Sequence, residues 1–429
     1  MKVAVVGTGY VGLVTGVVLA ELGNDVICVD NNPEKVKSLQ EGKSPIYEVG
    51  LEEMLTRVLR TKHLQITDSI SWATENSEII FITVGTPPGP DGNPDLSAVV
   101  SVAEQIGRSI RSHVVVVNKS TVPVGAGDLV EQTILQQGVS AELFDIVSNP
   151  EFLREGSAIQ DTLHPDRIVI GAKRREASQK LVELYSTLET EVIITDLSSA
   201  ELIKYGSNSF LAMKISYVNA LSRLCELCGS DISEVAKGMG LDHRIGKQFL
   251  HAGLGWGGSC FPKDVLGLIK TSEKYGYDFT LLKEVVNVND DQAANFLSRI
   301  EKRLGGFAGK KIALMGLAFK PDTDDIRDAR SLVLIERMLA GGATISAYDP
   351  MAAKHVQAIY PQIEYATDVY SLATGADLLV VVTEWNEFRH LDLARVGELM
   401  TQPIMFDGRR LYGKTSAENA GFEYYTIGG

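Results

Sequence analysis

Residues 3–6, VAVV, form a short apolar run of the kind that is buried on both faces of a parallel sheet. They open the stretch "KVAVVGTGYVGLVTGVVLAELGNDVICVD", which predicts a strand, a glycine turn, an apolar helix, a turn at Gly23 and a second strand ending at Asp30. The same succession returns in "KKIALMGLAFKPDTDDIRDARSLVLIERMLAGGATISAYD", with turns at Gly316 and at Gly341-Gly342 and a strand ending at Asp349. The likeness continues further on, where "TDSISWATENSEIIFITVGTP" from Thr67 matches "TDVYSLATGADLLVVVTEWNE" from Thr367. Strands alternating with helical patterns predict two related α/β domains, each a doubly wound, mostly parallel sheet. Between them, "SSAELIKYGSNSFLAMKISYVNALSRLCELCG" predicts one long helix, opened by a capping box of Ser198 and Glu201 and closed at Gly229. Its apolar residues occupy more than one face, so it is expected to be buried between domains, against a second subunit, or both. Helical sequence continues to about residue 303.

Gly7, Gly9 and Gly12 make a G-x-G-x-x-G at the first strand-to-helix junction, and Asp30 ends the next strand. Each piece has a task in holding a dinucleotide. The glycines permit a tight turn and a close backbone approach, the helix N-terminus meets a pyrophosphate, and the acid accepts from a ribose hydroxyl. Asp30 would repel a 2′-phosphate, which favours NAD over NADP. This context also decides how to read residues 3–20, which carry no charge and follow Lys2. Four glycines interrupt that run and an acidic stretch follows it, so it is a sheet-and-helix element and not a signal peptide or membrane span. The second half lacks the intact glycine fingerprint and carries "AFKPDTDDIRD" at its turn, which predicts a different ligand or none.

Composition narrows the function classes. Hydrophobic residues are 45% of the chain and charged ones 22%, which excludes a long disordered arm. A formal charge of −14 argues against a nucleic-acid or anionic-membrane surface. Four cysteines in 429 residues make no disulfide framework and fit a reducing compartment, the cytoplasm. Cys225 and Cys228 form a C-x-x-C without a second ligand pair, so two packed helix cysteines are expected there, and no metal site.

The candidate chemistry centres on "GWGGSCFPKD", residues 255–264. Cys260 follows a glycine run and precedes Pro262, at the expected first turn of a helix over 262–270. A thiol near a helix N-terminus and beside Lys263 loses its proton more readily, while Asp264 opposes this. A carboxylate in that place suits handling a hydroxyl or water proton. Lys204 and Asn208 are four apart and share a face of the long helix. Glu151 and Glu155 in "SNPEFLREG" are expected on one short turn opened by Asn149 and Pro150. Thr121 in "NKSTVPVG" follows a strand predicted at 113–117, at the carboxyl end of the sheet where such folds bind ligands.

Taken in order, GTGYVG, VGTPP, STVPVG, SNPEFLREG, AELIKYGSNSFLAMKIS, GWGGSCFPKD and GLAFKPDTDDIRD resemble the motif set of the nucleotide-sugar 6-dehydrogenases. "FDGRR" at 406–410 extends the match over nearly the whole chain. The resemblance implies two Rossmann-like domains joined by a long central helix: an NAD-binding domain over 1–199, a helical dimerisation domain over 200–303 and a UDP-sugar-binding domain over 304–429. It implies a homodimeric enzyme that performs an NAD-dependent four-electron oxidation of UDP-glucose to UDP-glucuronate. By this resemblance Cys260 is the nucleophile, forming a thiohemiacetal and then a thioester. Lys204, Asn208 and Asp264 surround the C6 oxygen or a water, with Thr121 nearby, and Glu151 moves a proton in thioester hydrolysis. The NAD site is implied to comprise Gly7, Thr8, Gly9, Tyr10, Val11 and Gly12, then Asp30 and Lys35. Val84, Gly85, Thr86, Pro87 and Pro88 join them, with Ser120, Thr121, Val122, Glu155, Lys263 and Arg327. The sugar-nucleotide site takes Glu151, Phe152, Leu153, Arg154, Glu155, Lys204 and Asn208, together with Phe249, Gly255, Gly257, Phe319 and Lys320. Arg244 is implied to reach in from the neighbouring subunit. Lys320 and the Arg409-Arg410 pair are available as local positive charge for a diphosphate on an acidic protein.

Two departures from the family pattern, Trp256 where phenylalanine is frequent and Lys35 where arginine also occurs, bear on packing and cofactor contacts more than on reaction type. Rival readings are a sibling enzyme acting on GDP-mannose or a UDP-N-acetylhexosamine, a two-electron hydroxyacid dehydrogenase or epimerase on the same fold, and a non-catalytic sensor. The cysteine-lysine-aspartate loop has no use in the second of these, and a sensor would be expected to have lost Cys260 or Lys204.

Overall fold

The apolar run at the N-terminus is a central strand of a sheet in the computed structural model, which describes residues 1–429. Contacts divide the chain into two units, Met1–Ser207 with Leu266–Gly276, and Asn208–Val265 with Tyr277–Gly429. The division passes through the long helix Leu197–Cys228 and through the helix Phe261–Lys274.

The first unit is built on β1 (Lys2–Val6), β2 (Asp25–Val29), β3 (Leu64–Thr67), β4 (Ile79–Ile82), β5 (Val114–Asn118), β6 (Phe144–Ser148), β7 (Arg167–Ala172) and β8 (Glu191–Thr195). They lie in the order β3-β2-β1-β4-β5-β6-β7-β8, parallel except where β7 turns back against β6. Because helices cover both faces, β1, β4 and β5 read as unbroken apolar runs, and all their apolar side chains are buried. The helix Tyr10–Glu21 is as apolar as a signal segment because it is buried along nearly its whole length, from Gly12 to Ala20. A Cβ on Gly12 would stand 1.8 Å from the Gly7 carbonyl oxygen, so only glycine lets this helix start so close to the turn.

The second unit carries β9 (Lys311–Met315), β10 (Thr344–Tyr348), β11 (Glu364–Tyr365), β12 (Leu378–Val381), β13 (Ile404–Asp407) and β14 (Glu423–Thr426), in the order β11-β10-β9-β12-β13-β14 and parallel throughout. The repeat seen in the sequence is therefore a repeat of topology. It extends to single hydrogen bonds. Gly7, at φ 99°, donates its N–H to Val29 O at 2.8 Å, and Gly316, at φ 97°, donates to Tyr348 O at 2.8 Å.

The long helix begins at Leu197, one residue before the predicted capping box. Its cap is Asp196, whose carboxylate accepts the Ser199 N–H at 2.8 Å and the Ser199 hydroxyl at 2.7 Å. Ser198 and Glu201 form no box, because Glu201 is turned to a different helix. Gly229, in the left-handed region at φ 75°, ends the helix as its position predicts. Helices Ile232–Gly240, Phe261–Lys274 and Thr280–Leu304 account for the predicted helical stretch, with an irregular segment before Phe261 that holds the glycine run. No helix is long and apolar enough to cross a membrane.

Candidate active site

At the first glycine turn, the residues present fit a dinucleotide. No side chain caps the helix Tyr10–Glu21, and the space a Cβ would take at Gly9 is open, so the first N–H groups of the helix face an unobstructed cradle. Asp30 ends the approach from β2. Its Oδ2 accepts the Thr8 N–H at 3.0 Å, the Thr8 hydroxyl at 2.6 Å and the Lys35 ammonium at 2.9 Å, and its Oδ1 accepts the Asn32 N–H at 3.1 Å. Burial works against the charge, but these donors outweigh it and hold the carboxyl at about 2. Lys35 is thus placed by Asp30. Tyr10 donates to Glu48, its hydroxyl accepts the Gly156 N–H at 2.9 Å, and Glu155 lies near enough to act on it by charge.

The loops after β4 and β5 are laced together at the carboxyl edge of the sheet. Thr86 donates its hydroxyl to Thr121 O at 2.7 Å, and Ser120 donates to Val84 O at 2.7 Å. Strand β5 covers 114–118 in place of the predicted 113–117, which leaves Thr121 in the loop at the same edge. Val122 is buried in that loop.

Lys204 and Glu151 form a buried ion pair, Nζ to Oε1 at 3.0 Å, with exposures of 3% and 7%. Glu151 does not lie on a helical turn with Glu155, because its free carboxylate oxygen folds back to accept the Leu153 N–H at 2.9 Å and the chain runs irregularly from Glu151 to Arg154. Nor does Asn149 open such a turn. Its amide donates to Val169 O at 2.8 Å and its oxygen accepts Tyr185 and Lys119, which holds β6, β7 and the Lys119 loop together. The Phe152 ring lies 3.7 Å from the Arg167 guanidinium and 5.4 Å from the Lys204 ammonium. Arg154 points away to Asp161 at 2.6 Å, and Leu153 packs on the core. Thr121, Ser148, Glu201 and Lys204 line one small hollow, together with Asn118, whose buried amide meets no protein partner.

Sequence reasoning misses Lys119, which sits in the same loop as Thr121. Its ammonium is buried, bonds Asn149 Oδ1 at 3.1 Å and lies over the Phe81 and Tyr185 rings. Burial lowers its pKa to about 8, with Lys204 acting in the same direction and Glu151 against it. Between about 8 and the ordinary value near 10.4 the unfolded chain holds a proton that the native one has released, so stability rises with pH across that window. Below it the cost of the buried charge is fully present, about 3 kcal/mol. Lys119→Met should therefore be more stable than the parent at neutral pH, by up to about that amount, and should lack the alkaline gain. Asn149 keeps the Tyr185 hydroxyl at 2.7 Å, so no acceptor is left bare. Urea unfolding of both proteins at neutral and alkaline pH measures this, and equal slopes against pH would refute it.

In the second unit, the glycine run before Cys260 is explained by its neighbours. A Cβ on Gly257 would stand 2.1 Å from Asp328 O, and one on Gly258 would stand 2.6 Å from the Phe319 ring. The Gly258 N–H donates to Arg327 O at 2.8 Å. "GWGGSC" and "AFKPDTDDIRD" therefore form one surface, which brings Phe319 and Arg327 to the cysteine loop. Lys320 lies over the Phe319 ring at 5.4 Å, and Arg327 pairs with Asp325 at 2.7 Å. Trp256 satisfies its indole N–H on Ser216 at 3.0 Å and packs edge-on against Phe261. Phe249 also packs on Phe261, and its positive φ of 63° marks a tight chain reversal.

Cys260 is half-buried and immediately precedes the helix Phe261–Lys274, which runs past the predicted 262–270. Asp264, one turn in, is 1% exposed. It accepts the Asn208 amide at 2.6 Å and the Lys263 ammonium at 2.5 Å, which orients the carboxylate. Cys225 is buried and Cys228 exposed, no cysteine is bridged, and no group of side chains is arranged to hold a metal.

One expectation about charge is altered, that of Arg409 and Arg410, while Asp349 and Arg244 show where the other charges of this unit lie. Asp349, the counterpart of Asp30, is only 3% exposed and accepts five donors. Leu317, Ala318 and the Trp385 indole bond its Oδ2 at 2.6, 3.0 and 3.0 Å, and Met351 and Ala352 bond its Oδ1 at 2.9 and 2.7 Å. No lone pair is left for a ribose, so this half does not repeat the dinucleotide site. Arg409 is committed to Val382 O at 2.7 Å and Glu384 at 3.2 Å, and Arg410 to Ile427 O at 2.6 Å and Asp231 at 2.8 Å, so neither is spare positive charge. Arg244 is exposed and pairs with Asp242 at 2.5 Å.

Comparison with known proteins matches three consecutive parts of one family. Residues 1–189 match the NAD binding domain of the UDP-glucose/GDP-mannose dehydrogenase family, 198–291 its central domain and 313–414 its UDP binding domain. The chain is 45% identical to the UDP-glucose 6-dehydrogenase YwqF of Bacillus subtilis over 429 residues, covering 100% of this chain and 98% of the relative. It is 42% identical to the UDP-glucose 6-dehydrogenase of Rhizobium meliloti, covering 100% and 99%. Among solved structures it resembles a UDP-glucose dehydrogenase of Pyrobaculum islandicum, with a TM-score of 0.93, 39% identity and coverage of 99% and 96%.

Proposed function

The chain belongs to the UDP-glucose/GDP-mannose dehydrogenase family, and from that premise we infer that it oxidises UDP-glucose to UDP-glucuronate with NAD. The observation that best supports a covalent route is Asp264, oriented by Asn208 and Lys263 one helical turn from the Cys260 thiol. Gly7 to Gly12 and Asp30 hold NAD, which supplies the hydride acceptor for each of two oxidations. In the first oxidation the C6 alcohol loses a hydride and a proton, and becomes an aldehyde. Cys260 adds to that aldehyde and restores a tetrahedral carbon with a hydroxyl. Loss of a second hydride and proton leaves a thioester on Cys260, and one water cleaves it to the carboxylate and the thiol. Asp264 and Asn208 handle the C6 oxygen or the water, and Thr121 is assigned to the same chemistry by the family resemblance. Lys204 stabilises the oxygen charge that develops at each tetrahedral stage, and Glu151 moves the proton during hydrolysis.

The enzyme acts as a homodimer in the cytoplasm in this reading. Phe210, Tyr217 and Leu224 follow one another at seven-residue steps on the long helix and are each more than half exposed, a stripe suited to the same stripe on a second copy. Arg244, exposed here, is the residue expected to reach the neighbouring site. The four unbridged cysteines suit a reducing compartment.

A panel of UDP-glucose, two UDP-N-acetylhexosamines and GDP-mannose, each with NAD, tests the assignment by absorbance and mass spectrometry. UDP-glucose should be consumed fastest and yield two NADH per uronate formed. A ratio of one, or preference for another sugar nucleotide, would replace this reading with a rival.

A further inference from the structure

Glu201 is a buried carboxylate whose hydrogen bonds all leave its own helix. Its Oε2 accepts the Gly125 N–H at 2.8 Å, and its Oε1 accepts the Gly127 N–H at 2.8 Å and the Ser148 hydroxyl at 3.2 Å. Two of these donors open the helix Ala126–Leu135, whose N-cap residue, Gly125, has no side chain to offer. The positive end of that helix is thus capped by a charge borrowed from the long helix. Position 127 is shaped for it, since a Cβ there would stand 3.1 Å from the Leu197 side chain and 3.2 Å from the Glu201 carboxylate. Burial raises the pKa of Glu201, and the three donors oppose the rise.

The bonds join the segments that carry the chemistry of the first unit. The loop from Lys119 to Gly125 holds Thr121. Ser148 ends β6, and Glu151 follows three residues later. Lys204 lies three residues beyond Glu201, on the same side of the long helix. A side chain serving only as a helix-surface glutamate would need none of these partners, and a merely structural cap would not need to sit one turn from Lys204.

We propose that Glu201 is a positioning residue of the reaction, which fixes the Thr121 loop and Lys204 in one geometry. This rests on the reading that both act at C6. Glu201→Gln keeps the size of the side chain but replaces one acceptor by a donor, which must face the Gly125 or the Gly127 N–H. Displacing reacting groups by a fraction of an ångström is expensive in rate, so kcat should fall roughly tenfold or more. KM for NAD should rise by much less than kcat falls, because the glycine cradle and Asp30 are untouched and only the Ser120–Val122 edge of the NAD site shares the disturbance. Amide exchange at Gly125 and Gly127 should quicken. Gly127→Ala, which wedges a methyl group against the carboxylate, should give the same split and serves if the first variant fails to fold. A folded Glu201→Gln protein with unchanged kcat and unchanged exchange overturns the proposal, and so does a loss shared equally between kcat and NAD affinity. The parent enzyme is assayed first. If it does not form two NADH per UDP-glucose, the functional reading falls and carries this inference with it, whereas a failure confined to the variants overturns this inference alone.

Discussion

Cys260→Ala will bind NAD with its affinity changed less than about threefold, yet release uronate at least ~1000-fold more slowly than the parent. The chemical reason lies in the carbon. An aldehyde carbonyl has no hydroxyl whose deprotonated oxygen could expel a second hydride, so the second oxidation needs a nucleophile to make C6 tetrahedral again. The thiol is placed for this, half-buried just before the helix Phe261–Lys274. The alanine variant should therefore stop at one NADH per sugar, with an aldehyde trapped by a carbonyl reagent and seen by mass spectrometry. Folding should hardly change, since a partly exposed side chain is trimmed by one atom. Uronate formed at the parental rate would mean that water adds to the aldehyde without the thiol, and the covalent route would have to be abandoned.

Lys204→Met will lose on two counts, and the pair of losses is what identifies its role. The Lys204–Glu151 contact is 3.0 Å long and nearly excluded from solvent, so removing the ammonium leaves a carboxylate buried without its counter-charge. Breaking such a pair costs about 3–5 kcal/mol of stability. If Lys204 also stabilises the developing oxyanion, kcat falls by about 10²–10³. Lys204→Met/Glu151→Gln, measured against Glu151→Gln alone, separates the two, because the amide does not need a counter-charge and the single variant already carries the loss of the Glu151 proton transfer. Stability should return in large part, while kcat stays well below that of Glu151→Gln. A double variant as active as Glu151→Gln alone would show that Lys204 only balances Glu151 and has no part in the chemistry.

Much of the architecture is legible in the amino-acid sequence, and the reason is local. A parallel strand buried on both faces must be apolar at every position, so β1, β4, β5, β9 and β12 announce themselves as short apolar runs. A turn that needs a positive φ or an absent Cβ must carry glycine, so Gly7 and Gly316 mark the same corner in both halves. The cysteine loop is visible for the same reason, because its glycines exist to let the segment 319–328 approach. Where the sequence misleads, the origin is shared as well. A Ser-x-x-Glu pattern is a local signal and points Glu201 at its own helix, but its partners lie 74 and 76 residues away. The spacing of Glu151 and Glu155 suggests one turn, although the Lys204 ammonium decides where Glu151 points.

What the sequence determined by itself was the backbone: two doubly wound sheets, the long helix that follows the first of them in the chain, the dinucleotide corner and the candidate nucleophile. What only the tertiary structure decided was the partner of each buried polar group, including Lys119 on Asn149, Glu201 on the start of another helix, and Asp349 filled by five donors. Backbone form leaves a short-range imprint of burial and dihedral preference, whereas a charge finds its partner through the fold, across a distance along the chain that no periodicity records.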